Sequence, residues 1–300
     1  MKKRPTYFTQ LNSLAIVGTF FSLWLAVFFD DDVENMLAYF LILTFGMLHG
    51  ANDIKLIQYS RHTAQSTFPF LKVLASYILV VLFGLALFYF LPTLAFIFFL
   101  VVSGYHFGEQ HWVSKLKPSS IWASLFFCSY GLFVLFLLFY QHVDTVSEVI
   151  LKLTNVNTQS IHFYYMVLLT GISSLFLFVV LKIRKELSAH IIKELFFLAI
   201  FFVVFNTASL LWSFAIYFIL WHSLPSIADQ ITFLYGKPNK HSIIKYLKSS
   251  LLYWILAALS SAMLLYIFRD DMELALSFFI AFLAAITFPH VFVISRLNKN

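Results

Sequence analysis

Apolar runs of about twenty residues follow one another along this chain with only short polar breaks, and they leave it few folds to choose from. A helix needs about 20 apolar residues to cross the hydrocarbon core of a bilayer, where each backbone amide must be satisfied within its own element. By that rule spans are expected near 12–29, 34–50, 70–91, 93–111 and 119–141, then near 161–184, 190–206, 208–227, 243–268 and 272–295. Of the 300 residues, 61% are hydrophobic and 11% are charged, too few to coat a water-soluble domain, which carries about 25%. The expected fold is all-α, a polytopic transmembrane helix bundle of about ten spans. Residues 1–300 form one integral membrane domain. The basic start and apolar core of the N-terminus resemble a signal peptide, but the core is long and no small-residue cleavage site precedes Asp30, so it reads as a retained first span.

The connections carry an alternating charge. Lys2, Lys3 and Arg4, then Lys55 and Arg61, Lys115 and Lys117, Lys182, Arg184 and Lys185, and Lys237, Lys240, Lys245 and Lys248 mark one side. Arg296 and Lys299 close the chain on that side. The intervening connections are short, neutral or acidic, with Asp30, Asp31, Asp32, Asp144, Glu148, Asp270 and Asp271, and Lys152 and Arg269 are the only basic residues there. Basic loops stay in the cytoplasm, so this alternation predicts both termini cytoplasmic in an inner (cytoplasmic) cell membrane. It also accounts for the net charge of +6 without nucleic acid, since no basic run interleaved with aromatics is present to track a phosphate backbone. The lone Cys128 rules out an intrachain disulfide and thiolate-rich metal sites. Between Val143 and Ser160, Val146, Val149, Ile150 and Leu153 share one helical face, as in a helix lying on the outer membrane surface.

Four of the ten histidines stand out by depth. His49 ends the second expected span in GMLHGANDIKL, His106 lies late in the fourth in SGYHFGEQHW, His222 late in the eighth in LWHSLPSIADQ, and His290 late in the tenth in TFPHVFVIS. All four spans run inward, so four helices deliver one imidazole each to the cytoplasmic half of the bilayer. A single histidine near a span end is usually an interfacial or hydrogen-bonded packing group; four at a common depth point to a shared site. His62, His142, His162, His190 and His241 lie in connections or at span ends, and His111 is turned off the His106 face. Neutral imidazoles without cysteine suit iron, zinc, copper or nickel.

Metal-bound histidines usually donate their second N–H to a carboxylate or carbonyl. Asp53, Glu109 and Asp229 follow His49, His106 and His222 by four, three and seven residues, spacings compatible with one helical face. Solvated helix ends would place carboxylates there equally well. Tyr105 and Trp221 precede two of the histidines and are candidates to line a pocket, although ordinary interfacial aromatics sit in such places too. The 38 Phe residues carry no weight as a polyene tunnel, since any bundle must face lipid with apolar side chains. A rival use of intramembrane His, Asp and Glu is metal-ion or proton passage through a transporter or channel, but no inverted repeat is visible. A haem-binding electron carrier would stack histidine pairs across the membrane, and a di-iron hydroxylase would show HxxxH boxes; neither pattern is present.

HGANDI at His49, YHFGEQ at His106, WHSLPS at His222 and FPHVFV at His290, in that order, resemble the signatures of the Brp/Blh family of membrane β-carotene 15,15′-dioxygenases. The resemblance runs from about residue 34 to the C-terminus. It implies cleavage of β-carotene at its central 15,15′ double bond by dioxygen, dependent on Fe(2+), giving two all-trans-retinal, with a retinal-binding opsin as a downstream partner. On this resemblance His49, His106 and His222 are iron ligands. The family commonly carries a second histidine four residues after the third motif's first; here that position is Ser226, so either His290 completes the set, the favoured reading, or three imidazoles hold the metal, or activity is altered.

Overall fold

In the computed structural model, which describes residues 6–63, 69–116, 120–158 and 162–297, the chain is helical almost throughout. The helices are α1 (Thr6–Phe28), α2 (Asp31–Leu41), α3 (Asp53–Thr63), α4 (Phe70–Phe90), α5 (Pro92–Trp112), α6 (Ile121–Gln141) and α7 (Val143–Thr154). After these come α8 (Phe163–Ile183), α9 (Ile191–Thr207), α10 (Leu210–Ile216), α11 (Leu224–Tyr235), α12 (Lys240–Ile267) and α13 (Met272–Leu297). Two π-helical stretches interrupt the α-helical ladder, Ile42–Gly46 after α2 and Tyr217–Ser223 between α10 and α11. Lys2, Lys3, Arg4, Lys117 and Lys299, and the first residues of two expected spans, Ser119 and Ile161, lie outside the described residues.

Among the described residues eight helices are long and apolar enough to cross a membrane, not the ten expected. They run Leu11–Phe28, Phe70–Phe90, Pro92–Lys115, Ile121–Gln141, Phe163–Ile183, Leu210–Tyr235, Lys240–Ile267 and Leu274–Leu297. The bundle is that of a multi-pass membrane protein. The expected spans at 34–50 and 190–206 fall short for physical reasons. The first starts among Asp31, Asp32 and Glu34, changes to a π-helix at Ile42 and breaks into turns at His49. The second, α9, has 17 residues and begins with Lys193 and Glu194 in its first turn.

The chain divides into two compact units, Met1–Ile42 with Val101–Ser147 and Gln159–Pro225, and Leu43–Leu100 with Glu148–Thr158 and Ser226–Asn300. In the first, α6 lies along α8, and α10 packs on α2, α6 and α9. The closest approach is between α5 and α6. A Cβ on Gly131 would stand 1.8 Å from the Gly104 carbonyl oxygen, and one on Gly108 would stand 1.9 Å from that of Phe127. Small residues let helix backbones touch in this way, and they fix the height of α5 against α6. Glu34 is buried; its carboxylate accepts from the Ser209 N–H at 2.6 Å and so satisfies an amide at the start of α10.

In the second unit α13 packs against α4, α3 and α12. Leu56, Ile231, Leu234, Tyr246, Val293 and Ile294 form a buried cluster. The Trp254 indole N–H lies 2.9 Å from the Thr44 carbonyl and 3.1 Å from that of Leu43, supplying a donor where the π-helix disturbs the regular ladder. The apolar face read in α7 is inward: Val146, Val149 and Ile150 are buried, and Leu153 is half-buried. In this unit the Ser277 hydroxyl donates to the Val149 carbonyl, and Lys152 pairs with Asp271 at 2.6 Å.

Candidate metal centre

His49 closes the helical run that begins at Asp31, just past the π-helix and at the start of the turns at Gly50–Asn52. Its ring Nδ1 is bonded to the Gly46 carbonyl. A carbonyl only accepts, so Nδ1 carries the proton and Nε2 is the nitrogen with the lone pair. The backbone of His49 is held as firmly as its ring. The Gln230 side-chain amide donates to the His49 carbonyl at 2.7 Å and to the Ser226 hydroxyl at 3.2 Å. The Tyr246 hydroxyl donates to the Gln230 oxygen at 2.8 Å. Asn52 donates to the Tyr246 carbonyl at 3.1 Å and accepts from Ser249 at 2.8 Å. Every one of these groups apart from Ser249 is buried.

His290 follows Pro289 inside α13. Its Nδ1 faces both oxygens of Asp53, at 2.9 and 3.0 Å, and Tyr77 of α4 donates its hydroxyl to the same carboxylate at 2.8 Å. An ionised carboxylate only accepts, so here too Nδ1 is the protonated nitrogen. The His49 and His290 rings meet edge to face, with centroids 4.6 Å apart. Asp53 therefore serves His290, although its spacing had suggested His49. The turns at 49–52 end the earlier helix and make Asp53 the first residue of α3, which takes its carboxylate to α13.

In the other unit, His106 sits on α5 between Gly104 and Gly108, the two glycines that meet α6. His222 sits in the π-helical stretch three residues before Pro225. Single π-turns inside α-helices recur at functional sites, because the extra residue re-aims side chains that a regular helix would carry past one another. The two rings stand edge to face with centroids 4.6 Å apart, and Phe107 and Phe218 pack against His222 at 4.8 and 5.6 Å. Trp221 turns away. Its indole donates to Thr19 at 3.0 Å, and its ring packs on Phe197 and Phe201. The Tyr105 hydroxyl donates to Glu109 at 3.2 Å, and Asp229 is half-buried on α11. His111 faces elsewhere, as expected: with Lys115 it pairs with Glu194, at 2.8 and 2.7 Å.

His49, His106, His222 and His290 are 7%, 1%, 1% and 3% exposed, so none is an interfacial residue. His106 and His222 meet in the first unit, and His49 and His290 in the second, so each unit holds a pair of buried imidazoles. Buried nitrogen donors with no thiolate fit a first-row transition metal.

The model of a family described as β-carotene 15,15′-dioxygenase matches residues 40–298. The chain belongs to that family. No curated protein and no solved structure matches it significantly. The match takes in all four histidine motifs and sets the family's polyene substrate beside a membrane bundle, in which an apolar molecule is already dissolved. Sequence reasoning missed Tyr77, Gln230 and Tyr246. Gln230 carried a signal, a polar residue one helical turn beyond Ser226. Tyr77 and Tyr246 carried none, as tyrosines within apolar helices are ordinary.

Proposed function

We propose that this chain is an iron(II)-dependent dioxygenase that cleaves β-carotene at its 15,15′ double bond, giving two molecules of all-trans-retinal. The observation that carries this is the pairing of buried imidazoles, His106 with His222 and His49 with His290, in a chain of that family. When bound, iron(II) supplies the activation of dioxygen that cleavage of an alkene to two carbonyl groups requires. His49 presents Nε2 because the Gly46 carbonyl holds its Nδ1 proton. Gln230 and Tyr246 keep the His49 backbone from moving. Phe107 and Phe218 shield His222 from water, and Tyr105 is assigned to border the polyene. Glu109 and Asp229 are assigned as outer carboxylates of the His106 and His222 elements. The enzyme works in the cytoplasmic membrane, and its retinal is available to a retinal-binding opsin. Cells that accumulate β-carotene are expected to bleach and to yield retinal by chromatography when they express the chain. Persistent colour with the protein confirmed in the membrane would overturn the reading.

His290 is proposed as the fourth ligand, through Nε2. Its Nδ1 rests on Asp53, the arrangement by which carboxylates orient metal-bound histidines. Ser226 does not fill the place of the missing family histidine, because its hydroxyl is bound to Gln230. His290→Ala is expected to lower iron occupancy of the purified protein sharply, and Asp53→Ala to lower iron affinity by about 10–100-fold. Unchanged iron in His290→Ala would leave a three-histidine site. Recovery of iron in His290→Ala/Ser226→His would show that position 226 remains within reach of the metal.

A further inference from the structure

A second feature lies in the unit that contains α3, α4 and α13, bordering the histidine site at Tyr77 and Pro289. A cavity of about 620 Å³ is framed by these three helices. Its position follows from how α4 and α13 meet. They run antiparallel, and they touch most tightly where a Cβ on Gly84 would stand 2.9 Å from the Phe288 ring and 3.1 Å from the Ala285 Cα. Beyond that contact Pro289, which lacks the N–H of a regular helical residue, sits inside α13. From there the two helices line a groove, with Val80 and Pro289 at its inner end and Lys72 and Arg296 at its mouth. Eight residues separate Lys72 from Val80, so the groove is about 12 Å deep along the helix axis. Between its ends the walls are mainly Val73, Phe292 and Val293, with Leu56 and Ile57 of α3 behind them.

We infer that this groove is a binding site for an anionic phospholipid, with an acyl chain along the apolar wall and the phosphate between Lys72 and Arg296. Three observations argue for that occupant. The mouth carries two exposed cations from different helices and no acidic side chain among its lining residues. It lies at the membrane end where the basic connections collect, next to Lys55 and Arg61 in sequence. The wall is apolar over a length that matches a segment of acyl chain and is too closed at Gly84 to pass a molecule across the bundle. Basic pockets between transmembrane helices on the cytoplasmic side are recurrent anionic-headgroup sites. A hydrocarbon such as a carotenoid gains nothing from the two cations.

The test uses the full-length protein purified in a mild detergent from vesicles of equal parts phosphatidylglycerol and phosphatidylcholine, with retained lipid counted by native mass spectrometry. Wild type should retain one phosphatidylglycerol in preference to phosphatidylcholine by about thirty-fold, the preference that two basic side chains near a surface supply. Lys72→Gln/Arg296→Gln, both exposed and expected to fold, should lose that preference. Ala75→Phe, which fills the groove from an exposed position, should reduce retention of the lipid itself. Equal retention of both lipids by wild type, or an unaltered preference in the double glutamine variant, would overturn the inference. Retention of added β-carotene that Ala75→Phe abolishes, without any lipid preference, would overturn it too and give the groove to the polyene.

Discussion

Replacing His106 with alanine is expected to remove bound iron and retinal formation together, while His142→Ala leaves both intact. The contrast separates a histidine that belongs to the site from one that merely lies near a helix end. His106 is 1% exposed, and its ring meets that of His222 with centroids 4.6 Å apart. The Phe107 ring packed beside it has no lone pair to take its place. Losing an outer carboxylate costs such a site about 10–100-fold in affinity or activity. Losing a ligand should exceed that, so iron in the purified variant is expected to fall below detection. His142 caps α6, half-buried, away from these rings. Iron analysis and retinal chromatography on the two variants, at matched membrane expression, check the expectation. Retinal yield that survives in His106→Ala would remove the metal role assigned to α5.

How much of this was legible in the chain follows from what each signal costs. A histidine at the end of an apolar run is expensive, so His49, His106, His222 and His290 announce themselves without any structure. All four are buried. The number of membrane-long helices was less legible, because a count of apolar residues does not register a π-turn. It cannot tell that Ile42–Gly46 changes pitch or that α9 stops at 17 residues. Partners were the least legible. Asp53 lies four residues from His49, and sequence spacing joins the two, but the turns at 49–52 hand its carboxylate to His290, 237 residues away. Tyr77 shares that carboxylate from a helix with no polar motif at all. Hydrogen bonds between distant helices depend on packing register, and register in this bundle is set by side-chain volumes that hydropathy treats as equivalent.

The clearest case of a volume effect is glycine, and it yields the second large prediction: Gly131→Ala should cost the protein both stability and activity. The added Cβ would stand 1.8 Å from the Gly104 carbonyl oxygen, where separations under 3.0 Å are essentially never found. The obstacle is backbone, so no rotamer change relieves it, and α5 and α6 must separate by more than about 1 Å. Overpacking of a tight interface costs about 1–3 kcal/mol, and a backbone clash belongs at or above the upper end. The same displacement acts on chemistry, because His106 lies on α5 between Gly104 and Gly108, both of which meet α6. A misplacement of about 1 Å at a reacting centre can cost about a hundredfold in rate. Gly18→Ala is the control, since its Cβ would meet only the flexible end of Leu220, at 3.2 Å. Thermal melting in detergent should place Gly131→Ala well below wild type and Gly18→Ala near it, and the retinal yields should follow the same order. The glycines of GYHFGEQ and their α6 partner Gly131 would then be as necessary as His106: one binds, and the others set where it binds.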